Sequence, residues 1–163
     1  MHFGGLPPGF KDAFDRRGDF DDELLSSIMM ENERGSRSAP AVTCDALGPK
    51  LVNTGRRTMT ETQAELNGSK LLLLYFGGSW CPHCVTFRPK IIDAYREMVQ
   101  TFGEAAVKIV FVSAERSSAE FNKYTGSMPF AAIPYGNSNI DGLFQRFNQR
   151  GGIPSTPRRG RKA

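Results

Sequence analysis

Cysteine, histidine and long apolar runs are all scarce in this 163-residue chain, which holds three Cys, two His and a single Trp. The longest apolar run, Leu71 to Phe76, falls far short of the roughly 20 residues a helix needs to cross a bilayer, so no membrane association is expected. Three cysteines are too few for the disulfide framework of a small secreted protein, and an odd number leaves one thiol unpaired. Outside one short cluster the only Cys or His residues are His2 and Cys44, too few to complete a four-ligand zinc site, so no metal is expected. No N-terminal stretch joins a charged flank to a long apolar core: Met1 to Phe10 is rich in Gly and Pro, and Arg16 and Arg17 stand near aspartates. Neither a secretory signal nor a mitochondrial presequence is expected, and the expected compartment is the cytoplasm.

An excess of one charge sign is also missing from most of the chain. The net charge is +4, from 21 basic and 17 acidic residues, but Arg158, Arg159, Arg161 and Lys162 stand in the last seven positions with no acid. Setting those four aside leaves 17 basic residues against 17 acids, so the basicity belongs to a tail and no nucleic-acid partner is expected. The length suits one domain with a real core, acting as a monomer.

What is present divides the chain in three. Residues 1–45 read as a largely flexible extension, with Gly4-Gly5, Pro7-Pro8-Gly9 and a loop from Gly35 to Pro40; residues 46–156 form the domain, and 157–163 the basic tail. Within the extension Phe20, Leu24, Leu25, Ile28 and Met29 fall on one helical face behind an acidic first turn, which predicts a short amphipathic helix. Leu51-Val52 and the stretch through Leu66 are separated by Gly55 and Arg56-Arg57, a hairpin pattern. Leu71 to Phe76 and Val107 to Val112 lack polar alternation apart from Lys108, as strands buried on both faces should. Between them Cys84, Ile91, Tyr95, Met98 and Phe102 share a face of a helix of about twenty residues, kinked at Pro89. Further helices are predicted from Ser117 to Tyr124, capped by Ser117 or Ser118, and from Asn139 to Phe147 with Leu143, Phe144 and Phe147 inward.

The chemistry concentrates in Trp80-Cys81-Pro82-His83-Cys84, which follows the first buried strand across Gly77-Gly78-Ser79 and opens the long helix. Two cysteines at this spacing can trade a dithiol for a disulfide without moving the backbone. Cys81, just before the first helical turn, faces free backbone N–H groups and the positive end of the helix dipole, which favour a thiolate nucleophile. Cys84, one turn in and shielded by the helix, is the resolving partner. His83 between them can hydrogen-bond the thiolate or place a positive charge beside it, which favours the reduced form and a more oxidising couple than an apolar residue would give. Trp80 supplies either an apolar wall for substrate or an ordinary core aromatic. Cys44 reads as an unreactive or weakly exposed thiol.

From about Leu66 to Thr156 the chain resembles the thioredoxin superfamily, and within it the tryparedoxin and nucleoredoxin branch. Leu74 to Cys84 resembles that branch's strand and active-site loop, Thr86-Phe87-Arg88-Pro89 its kinked helix, and Ser127 to Tyr135 its segment before the third helix. Ile153-Pro154-Ser155-Thr156 stands where the superfamily has its cis-proline. The resemblance implies an α/β fold, a thioredoxin-like three-layer sandwich. It further implies a dithiol-disulfide oxidoreductase that needs no cofactor beyond Cys81 and Cys84, with Pro154 facing them and the backbone of Ile153 pairing with an extended substrate. Implied partners are protein disulfides, a peroxidase and a low-molecular-weight dithiol such as trypanothione. Tyr75 stands where thioredoxins place a buried Asp, so no carboxylate near the motif is assigned as proton acceptor. Val85 and Ala114 replace an Arg and a Trp of tryparedoxins, which puts recognition of trypanothione in question and leaves Glu115 and Arg116 as the charges expected nearest the site. The sequence after Thr156 holds no strand, so the last two strands and the terminal helix of the fold are expected to be missing and Leu71 to Phe76 to lie at a sheet edge. The competing expectation is therefore a truncated thioredoxin-fold protein with little turnover, a binding module or a non-functional fragment.

Overall fold

The computed structural model describes residues 44–146. Its centre is the pair of apolar strands β3 (Leu71–Gly77) and β4 (Val107–Ser113), parallel and in register from Leu71 opposite Val107 to Gly77 opposite Ser113. Because side chains alternate along a strand, Leu71, Leu73, Tyr75, Val107, Ile109 and Phe111 point to one face, and Leu74, Phe76, Val110 and Val112 to the other. Both faces are covered, which is why neither strand carries a polar alternation.

The 21-residue helix α3 (Pro82–Phe102) links the two strands and lies on the first face, burying Ile91, Ile92, Ala94, Tyr95 and Met98. Phe121 and Tyr124 of α4 (Ser118–Thr125) complete that layer. Leu47 of α1 (Cys44–Leu47), Leu66 of α2 (Thr62–Leu66) and Leu143 of α5 (Asn139–Arg146) cover the opposite face. The result is the expected three-layer α/β sandwich. Expected boundaries hold for α3, which runs through Pro89 unbroken, and for α4, whose cap is Ser117: its hydroxyl accepts from the Glu120 N–H at 3.2 Å. Leu143 is buried and Phe144 meets Phe76 edge-on at 5.0 Å between ring centres.

The hairpin is also present, as β1 (Lys50–Asn53) antiparallel to β2 (Thr58–Glu61). It joins the central pair through β5 (Ala131–Ala132), so the strand order is β2-β1-β5-β4-β3. The buried Thr54 hydroxyl, just past β1, lies 2.6 Å from the Met128 carbonyl and 2.8 Å from that of Phe130, fastening the hairpin to the segment entering β5. Among the described residues β3 forms one edge of an open sheet.

One element differs from expectation. The stretch read as the end of the hairpin folds into α2 at Thr62, whose hydroxyl donates to the Gly48 carbonyl at 2.6 Å. Lys108, the exception in an apolar strand, lies on the α2 side of the sheet and pairs with Glu65 of α2 at 3.3 Å, so its charge is compensated where it is largely covered. The amphipathic face from Phe20 to Met29, Phe147, Ile153, Pro154 and the basic tail lie outside the described residues.

Candidate active site

The site forms at the carboxyl ends of β3 and β4, where loops of a parallel sheet converge. β3 ends at Gly77, whose carbonyl accepts from Ala114 N–H at 2.8 Å, so the loops leaving both strands start side by side. Gly78 then passes beneath the Trp80 ring: a Cβ there would lie 2.8 Å from the indole nitrogen, so any larger residue would displace the ring. The Cys81 N–H closes the loop by donating to the Gly78 carbonyl at 3.2 Å.

Cys81 is the N-cap of α3, with extended backbone, and Pro82 occupies the first helical position, where a missing N–H costs nothing. The Cys81 sulfur takes the role a serine oxygen plays in an ordinary cap, accepting from the Cys84 N–H at 3.3 Å. Both cysteines are free and buried. Cys81, 2% exposed, is more covered than Cys84 at 9%, whereas only Cys84 was expected to be shielded. The turn from Gly78 to Cys81 folds the sulfur back over the helix terminus, and that geometry both covers it and aims a donor at it. Burial, joined by the hydrogen bond with Cys81, pushes the Cys84 thiol up to about 11, so it holds its proton across the neutral range.

The remaining predicted residues divide by position. Pro82 and His83 are exposed beside the cysteines. Trp80 is half-buried: its ring packs on the core of the opposite face, its N–H donates to the Ala114 carbonyl at 2.8 Å, and the Arg116 guanidinium sits 5.0 Å above it. It is thus both a core aromatic and a partly open wall. Val85 is 44% exposed one residue past Cys84. Ile153 and Pro154 are not among the described residues.

Two parts of the site go beyond the sequence reading, which named Glu115 only as a nearby charge and Tyr75 only as the residue in place of a buried Asp. Glu115 is buried, and its carboxylate accepts from both the backbone N–H and, at 2.9 Å, the hydroxyl of Ser79. Its own N–H donates to the Ser113 hydroxyl at 3.0 Å. Glu115 therefore braces the loop that carries the cysteines. The second part is a pair of tyrosine hydroxyls, Tyr75 and Tyr124, on the Cys84 carbonyl. Among the described residues no three Cys, His, Asp or Glu side chains are grouped so as to hold a metal ion, and no helix is long and apolar enough to cross a membrane.

A dithiol with one sulfur capping a helix, set after a buried strand in a βαβ unit, has a counterpart among known proteins: residues 68–158 match the thioredoxin-like family. The chain belongs to that family. Thioredoxin-like relatives include probable nucleoredoxin 1 of Arabidopsis thaliana, 34% identical over 85 residues that make up 52% of this chain and 14% of that protein. Nucleoredoxin of Danio rerio is 30% identical over 116 residues, 71% of this chain and 27% of the relative. Among solved structures, tryparedoxin I of Crithidia fasciculata superposes with a TM-score of 0.57 at 28% identity, covering 65% of this chain and 71% of the other. Thioredoxin of Wuchereria bancrofti gives 0.57 at 27% identity, covering 63% and 69%. The chain spans about a quarter or less of the curated relatives' length. A thioredoxin-like fold presenting a Cys-Pro-x-Cys dithiol is consistent with thiol-disulfide exchange.

Proposed function

We propose that this protein is a thiol-disulfide oxidoreductase in which Cys81 attacks and Cys84 resolves. The observation that carries this reading is the hydrogen bond from the Cys84 N–H to the Cys81 sulfur at the helix N-terminus, an arrangement that favours charge on one sulfur of the pair. Cys81 thiolate attacks a substrate disulfide, forming a mixed disulfide and releasing one substrate sulfur as thiolate. Cys84 then attacks the Cys81 sulfur, the bond to substrate breaks, and its electron pair leaves on the second substrate sulfur. The substrate departs reduced and the protein holds a Cys81–Cys84 disulfide.

Protein disulfides are the substrates this surface favours. Val85 and Trp80 offer apolar area beside the motif, and Tyr135, 42% exposed, is tied to the loop after β4 by its hydroxyl, which donates to the Arg116 carbonyl at 3.0 Å. A peroxidase is one such partner. Trypanothione or a similar charged dithiol would find Arg116 rather than a charge at Val85. A reducing compartment such as the cytoplasm would return the disulfide to the dithiol.

The test is reduction of insulin disulfides with dithiothreitol as donor. Activity should vanish in Cys81→Ser, while Cys84→Ser should accumulate a mixed disulfide with substrate, visible by mass. Turnover surviving Cys81→Ser removes that residue from its role. The edge position of β3 among the described residues favours the second reading, a binding module with little turnover; full-chain protein that melts cooperatively yet never reduces insulin would establish it.

A further inference from the structure

A carbonyl inside a helix ordinarily accepts from the amide four residues on. The carbonyl of Cys84 has two further partners, the hydroxyls of Tyr75 at 3.3 Å and Tyr124 at 3.2 Å. Those hydroxyls are 3.3 Å from each other, so three oxygens form a closed triangle under the first turn of α3. Each hydroxyl has one proton to give. Either both protons point at the carbonyl, or one tyrosine donates to the other and the second donates to the carbonyl; the carbonyl is held in both cases.

The tyrosines come from different elements, and each packs against Phe111 of β4, away from the dithiol. Tyr75, on β3, is 2% exposed, and its ring lies 5.2 Å from Phe111. Tyr124, on α4, is 3% exposed and lies 5.7 Å from the same Phe111 ring. Arg88 stacks 4.7 Å over the Tyr124 ring and donates to the Tyr124 carbonyl at 3.2 Å. Gly77 leaves room above Tyr75, since a Cβ there would stand 3.2 Å from its hydroxyl oxygen.

We propose that Tyr75 and Tyr124 are positioning residues for the resolving step: by gripping the Cys84 carbonyl from the strand and from α4, they keep the Cys84 sulfur aimed at Cys81 while Cys81 carries substrate. The proposal rests on the roles given above to the two cysteines. In this step the bond from Cys84 sulfur to Cys81 sulfur forms, the bond from Cys81 to substrate sulfur breaks, and the Cys84 proton goes to the departing substrate thiolate. The tyrosines do not take that proton, because burial raises both hydroxyls above their ordinary value and they remain donors. Orientation is their contribution. An intramolecular attack depends steeply on it, and the Pro89 ring, which removes the amide bond to Val85, leaves this turn of α3 with one internal support fewer.

The steps separate in a stopped-flow experiment with Ellman's reagent on the reduced full chain, with Cys44→Ser in every sample so that only the dithiol reacts. Attack by Cys81 releases the first nitrothiobenzoate and resolution by Cys84 the second. In Tyr75→Phe/Tyr124→Phe the second release should slow about tenfold while the first stays within about twofold of the parent, with each single variant in between. A second release within about twofold of the parent in the double variant overturns the proposal. Equal slowing of both steps also overturns it, since general loosening of the fold would act on both. Failure of the parent to show a first release overturns instead the roles assigned to the cysteines. Should the double variant not fold, the single variants decide by the same ratio of rates, because each keeps both rings and one hydroxyl.

Discussion

Glu115 shows how one side chain can hold a reactive loop without touching the reactive atoms. Its carboxylate accepts two hydrogen bonds from Ser79, two residues before Cys81; Ser79 is itself exposed, so water replaces part of what is lost and such a bond contributes about 0.5–1.5 kcal/mol. Glu115→Ala should lower unfolding free energy by about that much, read from urea denaturation, and should slow insulin reduction. Glu115→Gln, keeping one acceptor oxygen, should cost less on both measures. We propose that His83, exposed beside the sulfurs, acts on the couple rather than the fold. His83→Pro should make the potential more negative by about 30 mV against glutathione, the equivalent of a tenfold change in equilibrium. The cysteines, Trp80 and His83 were legible in the sequence because they lie within five consecutive residues. Glu115 was named only as a nearby charge and Tyr124 only as the end of a helix, because their contacts with Ser79 and Cys84 span sequence separations of 36 and 40 residues that no local pattern encodes.

Secondary-structure elements were readable in proportion to how strongly burial marked them. β3, β4 and α3 were visible as apolar runs, broken only at Lys108, and a long helical period, since each strand is covered on both faces and the helix along one. α1, with four residues, and β5, with two, carry too few side chains for any periodicity. α2 was read as strand because Thr62–Leu66 follows β2 without a break, and it turns helical where the Thr62 hydroxyl finds the Gly48 carbonyl. β5 is held to β1 by only two residue pairs, so Thr54 carries a large share of that junction. Its one hydroxyl proton serves two carbonyls. Thr54→Val, equal in shape but without the donor, should destabilise by about 1–2 kcal/mol, and Thr54→Ser by less, measured by chemical denaturation.

The whole molecule answers pH through groups that burial keeps protonated. The Cys84 thiol ionises at about 11 in the folded protein against 9.0 when unperturbed. Between those values the native state binds more protons than the unfolded chain, so stability falls as pH rises through the window. Tyr95, pushed up to about 12 by burial, and Tyr75 and Tyr124, also raised, add their losses at still higher pH. The melting temperature of the reduced protein should be level up to about pH 8.5 and decline from about pH 9. With the disulfide formed there is no Cys84 thiol to titrate, so the decline of the oxidised protein should begin later; identical profiles would mean that Cys84 is not the group responsible. Among the described residues the open sheet places Cys84 past the end of its edge strand, on the side away from the hairpin.

The packing of Trp80 has an optical consequence. It is the only indole in the chain, rigidly held by Ala114 and roofed by Arg116, and bonded in sequence to Cys81. Light absorbed at the red edge of the protein band is therefore emitted from the doorstep of the dithiol and nowhere else. Because a disulfide quenches a neighbouring indole more strongly than a thiol does, the protein carries its own fluorescent gauge of the electrons it holds.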